Sequence, residues 1–110
     1  MKKIILLTNK NEISKHYNFD EVTDVKNFAL AHEMDYQESD DEKLIAKILQ
    51  VRDKKRSSIE TRQYENAAAL RDQEWSLVLD HFGCGNEFGR TSSTDVGEQY
   101  VCVIYRKTKT

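Results

Sequence analysis

The chain has no proline anywhere in its 110 residues, so no helical pattern along it meets an obligatory breaker. Its two cysteines, Cys84 and Cys102, belong to no C-x-x-C pair. Neither a disulfide framework nor a structural zinc site is expected, and reduced thiols in a cytoplasm suit that usage. Long apolar runs are missing too. The run behind Lys2 and Lys3 covers only Ile4 to Leu7 with no small-residue cleavage site after it, which reads as a buried strand and not a signal peptide. No stretch approaches the roughly 20 apolar residues that span a bilayer. A net charge of -2 supplies no one-signed field to hold a polyanion, so nucleic acid is not expected as a partner.

What is present is a polar but foldable mixture. Hydrophobic residues make up 38% of the chain, enough to offset the entropy of ordering, and the length suits one domain over residues 1–110. Lys3 to Thr8 carries apolar side chains on both alternating faces, as does Glu98 to Lys107, with Tyr100, Cys102 and Ile104 against Val101, Val103 and Tyr105. Both read as strands covered on two sides and neighbours in one sheet. "EFGRTSS" supplies a third strand and "TDVG" a hairpin turn.

Val22, Val25, Phe28, Ala29 and His32 fall at helical spacing, with Asp20 or Thr23 as the cap. The chain is acidic from Glu33 to Glu42 and basic from Lys43 to Arg56, an order that suits the dipole of a helix beginning near residue 43. Leu44, Ile45, Ile48, Leu49 and Val51 mark the apolar side of that helix, which runs to about Glu60. A second helix follows from Tyr64 to Phe82, with Tyr64, Ala67, Ala68, Trp75, Val78, Leu79 and Phe82 along one broad side and Gly83 as its terminator. The expected fold is α+β: a small sheet from the terminal strands and a central antiparallel helical hairpin over about residues 43–82.

"YENAAALRD" places Ala67, Ala68 and Ala69 mid-helix. Small side chains let a neighbouring helix approach closely, so the alanines read as a packing seam, with Tyr64 and Trp75 closing on the partner helix at either end. Two helices cannot cover both their apolar sides. The remaining stripe must meet the sheet, a second copy of the hairpin, or another protein.

The segment "KKRSSIETRQYENAAALRDQE" resembles the UVR motif, with Ile59, Tyr64, Glu65, Ala67, Ala68, Leu70, Arg71, Asp72 and Glu74 at matching positions. That motif occurs in bacterial excision-repair subunits B and C and in Clp-type ATPases. The resemblance implies a protein-binding hairpin with Tyr64, Glu65, Ala67, Ala68, Arg71 and Asp72 at the contact, in a bacterial adaptor or regulator of a larger assembly, and Trp75 joins them as an aromatic anchor of the kind that dominates interfaces. The chain departs from those proteins in lacking their ATPase, nuclease and zinc-binding segments. The alternative that follows from the uncovered stripe is a homodimer built as a four-helix bundle.

No cofactor or metal is expected. "GCGNEFG" follows a helix with G-x-G-x-x-x-G spacing, whereas the dinucleotide fingerprint follows a strand, so it reads as a helix terminator and loop. His81 and Cys84 lie close in sequence and would be the centre of a small Cys/His enzyme only with a third orienting group such as Asp80, Asp95 or His32. The bland reading has His81 capping the last helical turn. Glu38 to Glu42 lacks the glycine and ligand alternation of a calcium loop, and "RDKKR" lacks interleaved aromatics for stacking bases. Binding, without catalysis, is the expectation.

Overall fold

The computed structural model describes residues 2–12, 24–83 and 88–106, with side chains for 2–8, 24–83 and 93–104. In chain order the elements are β1 (Lys3–Glu12), α1 (Val25–Ala31), β2 (Met34–Ser39), α2 (Glu42–Glu60), α3 (Tyr64–His81), β3 (Phe88–Val96) and β4 (Gln99–Arg106). The four strands form one mixed sheet in the order β2-β1-β4-β3, with β1 parallel to β4 and both outer pairs antiparallel. This is an α+β fold, and the terminal strands are neighbours at its centre. No helix is long and apolar enough to cross a membrane, among the described residues.

Central position explains why β1 and β4 are apolar on both faces. Ile5, Leu7, Val101 and Val103 meet Val25 and Ala29 of α1, while Ile4, Leu6, Tyr100, Cys102 and Ile104 meet Leu44, Ile48 and Val78 of the α2–α3 hairpin. The sheet is therefore sandwiched between one short helix and one long hairpin, and the hairpin's open stripe packs on the sheet. Trp75 joins that sheet-facing cluster and Tyr64 stays 64% exposed, so the pair does not close on α2 as expected. Ala67 is buried and Ala68 half-buried in the hairpin, while Ala69 is exposed.

Several local readings change. The acidic stretch expected to lead into a helix contains β2, in which Met34 and Tyr36 share the α1 face with Ile5 and Leu7. Its charged residues hid a period of two: register with β1 gives an edge strand a polar outer surface. Helix α1 is capped by Asp24, which accepts from the Asn27 amide at 3.1 Å and from Asn27 Nδ2 at 2.8 Å. The alternatives Asp20 and Thr23, with Val22, lie outside the described residues. Helix α2 starts at Glu42, one residue before the expected start, because Asp41 takes the cap and accepts from Lys43 and Leu44 at 2.9 and 3.2 Å. The third strand continues through Thr94 to Val96, and the turn falls on Gly97 and Glu98 between paired Val96 and Gln99. Gly97 occupies the first central position with φ 61°, the requirement of a type II′ turn.

Each of the three helices among the described residues ends on a residue in the left-handed region: Glu33 at φ 54°, Arg62 at φ 61° and Gly83 at φ 70°. At the hairpin's connection the Gln63 amide donates to Ser58 at 2.7 Å and the Arg62 amide to Ile59 at 3.1 Å, the two bonds of a Schellman ending. The reversal is thus set by backbone geometry that glycine normally supplies.

Candidate functional site

The hairpin crosses the strands of the sheet. At one end the Asp41 amide donates to Ser39 Oγ at 3.2 Å, and that oxygen lies 2.9 Å from His81 Nε2, tying the start of α2 and the end of α3 to edge strand β2. Farther along, Arg52 forms a bidentate pair with Asp95 of the opposite edge strand β3, its Nη1 bond measuring 3.0 Å, and the Trp75 indole donates to Ser93 Oγ at 3.1 Å. From Arg52 to Glu60, and from Glu74 back to Tyr64, the helices continue for about 12 and 15 Å at 1.5 Å per residue. The hairpin overhangs the β3 edge.

Where the hairpin leaves the sheet sits a buried polar network. Glu74 is 0% exposed. Its Oε2 accepts from the Tyr100 hydroxyl at 2.5 Å and lies 3.5 Å from Ser93 Oγ, while Oε1 pairs with Lys55 Nζ at 3.2 Å. Burial first, then nearby Cys102 and Glu74, pushes the Tyr100 hydroxyl far above its ordinary range, so it stays a donor. Arg52 stands 5.6 Å from the Tyr100 ring centroid, and its hydrogen bond to Asp95 raises its pKa. No buried side-chain polar atom lacks a partner, among the described residues. Glu74 and Tyr100 are buried at its centre and only its rim, at Lys55, reaches water, which suits the network to fixing the hairpin's angle.

The overhanging part carries the residues singled out by the UVR resemblance. Tyr64, Glu65, Arg71 and Asp72 are exposed, with Arg71 Nη2 3.6 Å from Asp72 and its guanidinium 4.9 Å from the Trp75 ring. Ala67 and Ala68 lie behind them in the helix pair, and Trp75 lies over the sheet. Exposed Ile59, at 49%, belongs with them. The tip is held by Asn66 Nδ2 donating to Ser58 Oγ at 2.9 Å and by Thr61 Oγ1 donating to the Ser57 carbonyl at 3.0 Å.

Sequence reasoning missed Lys55 and Glu74 as a pair. The signal was there: Glu74 sits seven residues after Ala67 and four before Val78, and Lys55 sits between Val51 and Ser58, so opposite charges occupy two inward helical stripes. Of the proposed Cys/His centre, His81 is engaged with Ser39, Asp95 with Arg52, and Cys84 lies outside the described residues. No group of three metal-ligating side chains occurs among the described residues. Comparison of the chain with protein families, curated proteins and solved structures gives no match.

Proposed function

We propose that the chain is a non-enzymatic protein-binding module of the bacterial cytoplasm, an adaptor or regulator that engages a larger assembly through its overhanging hairpin. One observation carries this reading: beyond the sheet, the hairpin exposes Ile59 and Tyr64 on a backbone held by cap, cross-helix and network bonds. A large aromatic on a rigid support, flanked by an arginine, is the composition of an interface anchor. Tyr64, Glu65, Arg71 and Asp72 make the contact, while Ala67, Ala68 and Trp75 shape the surface behind them. The UVR resemblance points to Clp-type ATPases or repair subunits as the class of partner.

The test is direct binding of the purified chain to a Clp-type ATPase and to an excision-repair subunit, by calorimetry, with Tyr64→Ala and Arg71→Ala alongside. Association with one of them, weakened about tenfold or more by each substitution at unchanged melting temperature, is the expected result. Binding that ignores both substitutions, or binding to neither protein, counts against the reading. Light scattering addresses the competing four-helix-bundle homodimer: a concentration-independent monomer removes it.

A further inference from the structure

The hairpin overhang and the open edge of β3 together form a notch, and its dimensions match those of a β-strand. Strands in a sheet lie about 4.8 Å apart, so an overhang of about 12–15 Å shelters the positions of two further strands beside β3. The underside of the overhang continues the stripe that packs on the sheet. Ile59 follows Arg52 by seven residues and Ile45 by fourteen on α2, and Tyr64, Ala68 and Arg71 precede Trp75 along the same side of α3. Ile45 and Trp75 are packed against the sheet, whereas Ile59 and Tyr64, beyond its edge, are exposed.

The edge below presents hydrogen-bonding groups. The two-residue turn makes Val96 and Gln99 a mutually bonded pair, and in an antiparallel ladder such pairs alternate with pairs whose amides and carbonyls point away. On β3 the outward groups therefore belong to Thr91, Ser93 and Asp95. Strand order leaves that side of β3 unpaired by any described strand. Two incomplete surfaces, one needing apolar cover and one needing backbone partners, meet at a right angle.

Resting on the reading of the hairpin as a binding element, we propose that this notch receives an extended segment of the partner protein. The segment adds a strand to β3 beneath the hairpin, about 4.8 Å out from that edge, and its alternate apolar side chains rise toward Ile59, the nearer of the two exposed groups. Charge further specifies it. Arg56, four residues after Arg52 on the same flank of α2, is exposed and has no ion pair among the described residues. Arg71, on the facing flank of α3, pairs only loosely with Asp72. The segment that fits is apolar at every second position and acidic beside them. A second copy of this chain fits poorly: pairing the two β3 edges about a twofold axis keeps both hairpins on one face, where each overhang meets the other's hairpin.

The probe is a random library of displayed peptides of about ten residues, the upper length of an ordinary strand, selected against the full chain. Enrichment of sequences alternating apolar and acidic residues is expected. One recovered peptide is then N-methylated at odd or at even positions. Strand addition requires one methylated set to lose affinity by about tenfold or more and the other to keep it, because only alternate amides face β3. Ile59→Ser and Arg56→Ala should each weaken binding, and the amides of Thr91, Ser93 and Asp95 should gain protection from hydrogen exchange when peptide is added.

Failure to enrich any sequence overturns the proposal. So does equal sensitivity of both methylated sets, or protection of the three amides that rises with protein concentration in the absence of peptide, the mark of a second copy. Loss of calorimetric partner binding on Tyr64→Ala together with register-blind peptides leaves the hairpin as the binding element and removes strand addition alone.

Discussion

Replacing Glu74 by glutamine keeps the side chain's volume and removes its charge, at a site with 0% exposure. The carboxylate now serves donors at both oxygens, Lys55 Nζ at 3.2 Å and the Tyr100 hydroxyl at 2.5 Å. An amide has one accepting end and one donating end. Its nitrogen must face either the Lys55 ammonium, donor against donor, or the Tyr100 hydroxyl, which then loses its acceptor. One charge-assisted bond is lost in either orientation, about 1.5–3 kcal/mol. Lys55 softens the loss because 26% of its side chain reaches water, toward which the ammonium can turn. Glu74→Gln should therefore cost about 1.5–2 kcal/mol, the lower part of that range.

Lys55→Met should cost more, about 3–5 kcal/mol, since it strands a buried carboxylate without its cation. In the double variant the donor conflict disappears and no unpaired charge remains. Its cost should fall short of the sum of the two by at least about 1 kcal/mol. Urea unfolding near neutral pH, read as a double-mutant cycle, measures all three. Single variants within about 0.5 kcal/mol of the parent, or costs that simply add, would refute the idea that this network holds the hairpin to the sheet.

Three further outcomes follow from local geometry. Arg62→Gly should raise stability by about 0.5–1 kcal/mol, the left-handed penalty of a side chain less the extra entropy of glycine, while Gly83→Ala, with open space around its site, should lose a comparable amount through backbone strain alone; paired thermal melts check both. Asp41→Ala should lower the melting temperature at neutral pH. Hydrogen bonds from the Leu44 and then the Lys43 amide hold the Asp41 carboxyl below its ordinary range, so its contribution is full above about pH 3.9 and fades as pH falls through the lower folded value. The gap between Asp41→Ala and its parent should narrow in acid. Tyr36, raised to about 12 by burial and by its bond to Glu38, should ionise late in an ultraviolet absorbance titration, and Tyr36→Phe should delete that late step. The sign is that of a raised acid: Tyr36 stabilises the fold fully below about pH 10, and this is lost as pH rises through about 12.

Local pattern was sufficient wherever one element's own residues decided its state. Ile4 to Leu7 and Tyr100 to Ile104 are apolar on both faces because covered strands have no solvent side, and that alone makes them central neighbours. The hairpin was equally plain, since Leu44, Ile48, Val51, Ala67 and Val78 repeat at helical spacing without a proline to interrupt them. Strand β2 was not, because an edge strand with one wet face carries charges that mimic the acidic lead of a helix, and only pairing with β1 distinguishes the two.

Sequence by itself thus determined the two-sided apolar strands and the helix pair, set by periodicities within a few turns or residues. Tertiary structure decided where the hairpin lies, that Glu74 meets Tyr100 and Lys55, and that Ile59 and Tyr64 fall beyond the sheet. The reason is range. A helical stripe records that some surface will cover it, but the width of the sheet beneath, set by how many strands pair, fixes where that cover stops and a surface for another chain begins.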